Sequence, residues 1–271
     1  TGVPPLWNQL IGLQWPKSLR ETLRYVANTG CAMPTPTLAR IREKLPKTKV
    51  FLMYGLTESF RSTYLPPEEV ENRPTSIGKA IPNAEILVVR PDGTRCDPGE
   101  AGELVHRGAL VSLGYWNDAV KTKQRFKPLP GQYAELTFPE MTVWSGDMVF
   151  ADEDGYLYFV GRNDDMIKSS GYRISPSEVE EVIYQTGLVD ECAAIGVPHP
   201  VLGQAVVTAV TGPVQDNDTE ELIMKECRLV LPNYMVPRAI RWEKTMPKNP
   251  NGKIDRRSLA EKLQTMFAED Q

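Results

Sequence analysis

Apolar positions recur at different periods along the chain, and the period changes by region. Between Ser18 and Ala27, Leu19, Leu23 and Val26 fall at helical spacing. Thr37 to Leu45 repeats the pattern through Leu38, Ile41 and Leu45, with Pro36 near its start. A continuous apolar run follows, Val50-Phe51-Leu52-Met53-Tyr54, of the kind a buried parallel strand shows. It ends in Gly55-Leu56-Thr57-Glu58. Polar residues just past the carboxyl end of a buried strand are where open α/β sheets bind ligands, although a strand exit with a capping Thr fits the same spacing. Residues 1–60 therefore predict α/β structure, and the polar, proline-bearing stretch 61–75 predicts a loop or boundary.

From Ile77 to Phe150 the texture changes to short strands and turns. Glu85–Arg90 is strand-like and ends at the turn signal Pro91-Asp92-Gly93-Thr94; Glu103-Leu104-Val105-His106 is another short run. This spacing predicts a small β-barrel or sandwich. Lys127–Pro139 carries prolines and predicts an exposed loop. The densest stretch is Ser145–Ser175. Met148–Ala151 and Tyr156–Val160 are rich in aromatic and β-branched residues and flank Asp152-Glu153-Asp154-Gly155, and Asp-Gly suits a hairpin turn that needs positive φ. Asp147 enters this hairpin and Arg162 leaves it. Charges of both signs at one sheet end could hold a sugar hydroxyl pair and a phosphate; a charged surface hairpin followed by a linker fits the pattern as well.

A third region begins after Arg162. Ser175-Pro176-Ser177-Glu178 has a Ser at the N-cap position, Pro at the first helical position and Glu three residues after the cap. Val189–Val197, Ala205–Val210 and Ala239–Trp242 read as strands, Glu220–Leu231 as a helix closed by Pro232, and Asp255 as the cap of a last helix reaching Phe267. These elements make a compact α+β domain of about a hundred residues, an ordinary domain size.

Composition narrows the function classes. The chain has 271 residues, enough for more than one core, and a net charge of −4, which argues against a dominant nucleic-acid surface. No apolar run approaches membrane-spanning length. The four cysteines, Cys31, Cys96, Cys192 and Cys227, form no CxxC pair, which suits free thiols in a reducing, cytoplasmic compartment. With only His106 and His199 present, a His-rich metal centre is not expected, and His106, inside a strand-like run, reads as structural. Lys253 lies in Pro247–Asp255, a tight Pro/Asn/Gly loop where a Lys can reach a phosphate or simply face solvent.

Tyr54-Gly55-Leu56-Thr57-Glu58, Ser145-Gly146-Asp147, Gly161-Arg162-Asn163-Asp164, Lys168–Arg173 and Asn251-Gly252-Lys253 occur in one order. Together they closely resemble the adenylate-forming superfamily of acyl-CoA synthetases, peptide-synthetase adenylation domains and luciferases. Gly30-Cys31-Ala32-Met33-Pro34 resembles the family's adenine-side loop, with Cys31 where a second Gly is common. The resemblance covers essentially the whole chain. It implies a multidomain α/β and α+β architecture: residues 1–74 as part of an α/β subdomain, 75–163 as a small distorted β-barrel, and 164–271 as a mobile C-terminal domain.

The resemblance also implies roles. Gly30, Cys31, Ala32, Tyr54 and Gly55 would line the nucleotide, with Tyr54 against the adenine. Thr57 would bond phosphate and Glu58 would help hold Mg²⁺. Asp147 would accept both ribose hydroxyls, Arg162 would contact the ribose and phosphate side, and Asp164 would be the hinge. Lys253 would act in adenylation. After rotation the face bearing the catalytic Lys168 and Gly171 would replace Lys253, Gly171 and Ser170 would lie at the pantetheine arm of coenzyme A, and Arg173 would approach the nucleotide phosphate. The implied activity is ATP-dependent, AMP-forming ligation of a carboxylic acid to coenzyme A. Loading of a carrier-protein phosphopantetheine is the alternative, and a non-catalytic interaction module is the alternative of another class. The run Leu56–Glu69 is similar to acyl-CoA ligases associated with bacterial exosortase systems. The family's Ser/Thr/Gly-rich loop ending in Lys, which wraps the ATP β- and γ-phosphates, has no counterpart in this sequence. The chain therefore reads as the C-terminal half of a longer enzyme, inactive by itself.

Overall fold

The computed structural model describes residues 1–130, 139–250 and 252–267. In chain order the helices are α1 (Pro4–Gly12), α2 (Lys17–Thr22), α3 (Thr35–Lys44), α4 (Ala119–Arg125), α5 (Pro176–Gln185), α6 (Asn217–Val230) and α7 (Arg256–Leu263). The strands are β1 (Tyr25–Asn28), β2 (Lys49–Tyr54), β3 (Thr63–Leu65), β4 (Ser76–Ala80), β5 (Ala84–Val89), β6 (Gly102–Gly108), β7 (Phe126–Pro128), β8 (Met141–Ala151), β9 (Leu157–Arg162), β10 (Ile167–Ser169), β11 (Tyr172–Ile174), β12 (Glu191–His199), β13 (Gly203–Thr211) and β14 (Ala239–Trp242). They group into two compact units. One comprises Thr1–Gly2, Trp15–Met33 and Leu45–Asn163; the other comprises Val3–Gln14, Pro34–Lys44 and Asp164–Gln271.

The first unit is built on one sheet with the order β1-β2-β3-β4-β9-β8-β6-β5, with β7 paired to β8. Only β1 and β2 run parallel, Val26 beside Val50 and Ala27 beside Phe51; the remaining pairs are antiparallel. The strands of the expected small barrel are present, but their hydrogen-bonded path is open among the described residues. The helix expected over Ser18–Ala27 stops at Thr22. Val26, Ala27 and Asn28 are buried in β1 instead, because pairing with the apolar β2 offers them more burial than a short solvent-facing helix would. Strand β8 buries Val143, Ser145, Asp147 and Val149 in alternation, so the period of two carries a carboxylate to an inward position. The β8–β9 hairpin closes as the sequence predicts. The amide of Asp152 donates to the Tyr156 carbonyl at 2.9 Å, the Asp152 carboxylate accepts from the Tyr156 amide at 2.8 Å, and Gly155 takes φ +79°. The exposed loop expected over Lys127–Pro139 falls largely on residues 131–138, outside the described residues.

The second unit centres on the long antiparallel pair β12–β13. Strand β13 is flanked on its other edge by β10, at Ser169 and Gly203, and by β14 in parallel. Alternation sorts its side chains into two clusters. Cys192, Ala194, Val206 and Val210 pack with Val179 and Ile183 of α5 and Ile223 and Cys227 of α6. Ala193, Ile195, Val197, Val207 and Ala209 pack with Leu259 of α7. Helices α1 and α3 group with this unit. Ser175 and Pro176 start α5, but the Ser175 side chain makes no capping bond; Asp216 and Asp255 do cap α6 and α7, accepting from the amides of Thr219 and Ser258. The last helix ends at Leu263 and continues to Phe267 as turns.

A largely buried ion pair ties this unit together. Glu180 of α5 accepts from both guanidinium ends of Arg256 in α7, at 2.6 and 2.9 Å, and also from the Ala194 amide of β12 at 2.7 Å. Truncating Arg256 would leave a carboxylate of low exposure without its cation. Because Arg256 retains 29% side-chain exposure, we expect Arg256→Ala to cost about 3 kcal/mol in urea unfolding, the lower end for a broken buried pair. Arg257→Ala, which removes only an exposed pair with Glu261 one turn away, should leave the unfolding midpoint nearly unchanged.

Candidate functional site

Two loops of the first unit leave the carboxyl ends of neighbouring parallel strands. Gly30-Cys31-Ala32 follows β1 and is exposed; Gly30 has φ +85°, and the buried Asn28 fixes the turn by donating to the Cys31 carbonyl at 2.9 Å. Gly55–Glu58 follows β2. A Cβ at Gly55 would lie 2.3 Å from the Phe60 carbonyl oxygen, so the loop folds back on itself only with Gly there. Thr57 is exposed and Glu58 half-buried.

Asp147 lies below this end of the sheet, 5% exposed. The Tyr54 hydroxyl donates to its Oδ2 at 2.6 Å, and Arg162 Nε stands 3.4 Å from its Oδ1. The Asp147 amide donates to Ser145 Oγ at 3.0 Å, and Ser145 in turn donates to the Leu104 carbonyl at 2.7 Å. Burial, followed by the adjacent Asp147 charge, pushes the Tyr54 phenol well above the ordinary tyrosine range, so Tyr54 remains a donor. With its hydroxyl engaged, Tyr54 has only its ring left to offer a further partner. Asp147 and Arg162 are register partners in β8 and β9, and Arg162 is half exposed, leaving its guanidinium a solvent-facing side.

Glu58 has a partner that sequence spacing does not reveal. The Tyr115 hydroxyl donates to Glu58 Oε1, and the Ser112 amide donates to the Glu58 carbonyl at 2.9 Å. Tyr115 is held by Thr122 Oγ1 at its amide and by an edge-on contact with Phe126. Burial and the hydrogen bond to Glu58 push its phenol up to about 12. Arg125 is a second such residue: it packs against Gly146, where a Cβ would clash with the guanidinium at 2.0 Å. The charge of Arg125 and then of Arg162 acts back on the Tyr115 phenol. Two carboxylates and two guanidinium groups thus gather in one unit although they come from three separate stretches, the loop after β2, α4 and the β8–β9 hairpin. A Gly before Asp147 and an aromatic residue before a short basic helix were the available signals, and neither specifies a contact. No group of three or more His, Cys, Asp and Glu able to hold a metal occurs among the described residues. One half-buried carboxylate suits Mg²⁺, which commonly binds one or two carboxylates together with substrate phosphates.

The other residues that the sequence singles out lie in the second unit. Lys168 and Arg173 are register partners across the β10–β11 hairpin, and both are exposed. Its two-residue turn is Ser170-Gly171, with φ +50° and +85°; positive φ at both positions is the turn that matches strand twist. Lys253 is half-buried in a loop closed by the Lys248–Ile254 bridge; its carbonyl accepts from the Asn249 amide at 2.8 Å, and its amide donates to Asn249 Oδ1 at 3.1 Å. Asn251 of the same motif lies outside the described residues. Asp164 is exposed and is the first residue of the second unit after the chain leaves β9.

His106 of β6 is fully buried, with Nδ1 2.9 Å from Ser62 Oγ, in the loop that also carries Glu58. Burial holds its pKa below the ordinary histidine value. The folded state keeps it neutral while the unfolded chain accepts the proton, so stability is undiminished above about pH 6.5 and falls as pH drops below that value. The urea midpoint should fall from pH 7 toward pH 5, and His106→Gln should remove that part of the dependence. An identical slope in the variant would show that His106 does not titrate in this way.

Two family models match the chain: "AMP-binding enzyme" over residues 1–116 and "AMP-binding enzyme C-terminal domain" over residues 178–253. A long-chain-fatty-acid–CoA ligase of Salmonella typhimurium is 33% identical over 260 residues, covering 96% of this chain and 44% of that protein. A D-alanine–D-alanyl carrier protein ligase of Bacillus licheniformis is 31% identical over 242 residues, 86% of this chain and 46% of that protein. The chain thus spans less than half the length of these relatives. The crystal structure of ATP-bound MatB from Rhodopseudomonas palustris superposes with a TM-score of 0.86 at 25% identity, covering 98% of this chain and 51% of that one. Matches in both parts of the chain, and a fold shared along nearly all of it, lead to one conclusion: the chain belongs to the AMP-binding, adenylate-forming enzymes.

Proposed function

We propose that the protein carrying this chain is an ATP-dependent, AMP-forming acyl-CoA ligase, and that the chain supplies part of its nucleotide site and its second-step face. The observation that carries the reading is the buried Asp147 carboxylate, oriented by Tyr54 and flanked by Arg162. A carboxylate has acceptors for two hydroxyls at once, which suits a ribose diol, and the neighbouring guanidinium suits the attached phosphate.

In the first step the substrate carboxylate oxygen bonds to the α-phosphorus and the bond to pyrophosphate breaks. Negative charge builds between two anions, and the Lys253 ammonium offsets it. Glu58, fixed by Tyr115, would be the carboxylate that holds Mg²⁺, and Mg²⁺ would supply charge neutralisation at the phosphates. In the second step the thiolate sulfur attacks the acyl carbon and AMP leaves. Asp164 serves as the joint that exchanges Lys253 for the Lys168–Arg173 hairpin, where Gly171 leaves room for a pantetheine arm. Ser170 shares that turn, and Thr57 and the Gly30–Ala32 loop complete the nucleotide side. The relationship to a carrier-protein ligase supports a second reading, in which a carrier-bound pantetheine replaces free coenzyme A.

The test is ATP–pyrophosphate exchange together with thioester formation by the whole protein, offering free coenzyme A and holo carrier protein in parallel. We expect exchange with a carboxylic acid and thioester formation with coenzyme A; thioester formation with the carrier alone would select the second reading, and absence of exchange would overturn both. The 271-residue chain alone should give little exchange. Asp164→Pro fixes φ near −65° and restricts Asn163. It should keep most of the exchange while lowering thioester formation at least tenfold; equal loss of both would count against a joint at Asp164.

A further inference from the structure

Arg125 is the last residue of α4, and its side chain is held more firmly than that of an ordinary surface arginine. Asp118 caps α4 by accepting from the Lys121 amide; Phe126, the first residue of β7, pairs with Val143 of β8 and packs edge-on against Tyr115. Arg125 is thereby set beside Trp144, and its guanidinium lies against Gly146. A Cβ at Gly146 would stand 2.0 Å from Nη1, 2.9 Å from Cζ and 3.0 Å from Nη2. Gly146 takes φ +72° and immediately precedes Asp147. The Arg125 charge also reaches the Tyr115 hydroxyl, more strongly than that of Arg162 does, and that hydroxyl donates to Glu58. One guanidinium thus neighbours both Asp147, expected at the ribose, and the group that holds Glu58, expected at the phosphates. Its own bonding is slight. Among the described residues its hydrogen bond is a long one, from Nη1 to the Trp144 carbonyl at 3.4 Å, and a guanidinium carries several further donors. The residue is half-buried, so solvent and ligands reach it.

We propose that Arg125 is a further phosphate-binding residue of the nucleotide site, donating to the α-phosphate that remains in AMP when pyrophosphate leaves. This rests on the ligase reading. There the ribose sits on Asp147 and the phosphates lie toward Glu58, so the α-phosphate bridges the ground between them, and the Arg125 guanidinium adjoins both ends. A guanidinium offers paired donors that match two phosphate oxygens, and charge-assisted bonds of this kind are the strong ones. As the substrate carboxylate attacks, charge builds on the α-phosphate oxygens, where a cation already in place needs no rearrangement. Seating the side chain against Gly146 before a ligand arrives also reduces the conformational freedom lost on binding. A purely structural role, that of a counter-ion offsetting Asp147 and Glu58, predicts the same loss for every ligand of the site. A phosphate contact predicts a loss confined to ligands that carry phosphate.

The experiment is equilibrium binding of ATP, AMP and adenosine to the whole protein, read by titration calorimetry. We expect Arg125→Gln to weaken ATP and AMP by at least about tenfold, and adenosine by less than about twofold. Arg125→Lys keeps the charge without the fork and should fall between the parent and Arg125→Gln for ATP and AMP. Should Arg125→Gln fold poorly by circular dichroism, Arg125→Lys decides alone, with AMP weakened and adenosine unchanged. Lys123→Gln removes an exposed cation of the same helix and should leave all the affinities at the parent's values. Adenosine lost in step with AMP, or AMP and ATP bound as tightly as by the parent, would overturn the proposal and leave the ligase reading standing. So would an equal loss in Lys123→Gln, because the effect would then be the general charge of α4. A whole protein that binds none of these ligands would overturn the ligase reading, and the phosphate role with it.

Discussion

A carboxylate kept out of water is the constraint on which the first unit depends. Asp147 is placed inward by the alternation of β8, between Val143 and Val149, where an uncompensated charge would be costly. It is tolerated because donors converge on it from different parts of the sheet: Tyr54 from the end of β2, Arg162 from the facing position in β9, and its own backbone anchored on Ser145. Each donor fixes something else. Tyr54 can reach only if β2 ends where it does, and that placement also sets the start of the Gly55–Glu58 loop. Arg162 can reach only if the β8–β9 register holds across the bulge at Met148 and Val149. The geometry of a candidate ribose site and the packing of the sheet are therefore one problem with one solution.

The second unit solves a related problem without a reactive purpose. Glu180 and Arg256 neutralise each other where α5, β12 and α7 meet, and the Ala194 amide supplies a further donor. The contrast with Asp147 is informative. Glu180 has both oxygens committed to a bidentate partner. Asp147 faces a guanidinium that is half in solvent, a geometry that permits exchange of partners when a ligand arrives. Burial alone does not separate the two acids; the solvent exposure of the counter-ion, 49% for Arg162 against 29% for Arg256, does.

Much of the fold was legible because it follows local rules. The apolar run at Val50–Tyr54, the Asp-Gly hairpin after Ala151 and the Asp255 cap each depend on a few adjacent residues, and each occurs where spacing puts it. The failures have a common origin. Leu19, Leu23 and Val26 mimic a helix, but Val26 is claimed by a strand whose partner lies two dozen residues on. Ser175 has the sequence of a cap without its hydrogen bond. In the site, Gly55 and Asp147 were readable as types, whereas the hold of Tyr115 on Glu58 and the approach of Arg125 to Gly146 were not. Those contacts join residues that only the folded sheet brings together, and no period or turn signal encodes them.

The division of the chain falls at a telling position. The last ladder bond of β9 is made by Asn163, whose amide donates to the Gly146 carbonyl at 2.9 Å, one residue before Asp147 in β8. Arg162, immediately before, contributes the ion pair. At Asp164 the chain passes to the other unit and is exposed. The bonds of Asp147 with Tyr54, Arg162 and Ser145 are thus all made before the boundary. A change in backbone angles at Asp164 would not have to break any of them, since the nearest bond is anchored on the preceding residue. On the proposed function, a joint placed after Asn163 rather than within the hairpin would let Lys253 be exchanged for the Lys168–Arg173 hairpin while the surroundings of Asp147 stayed fixed.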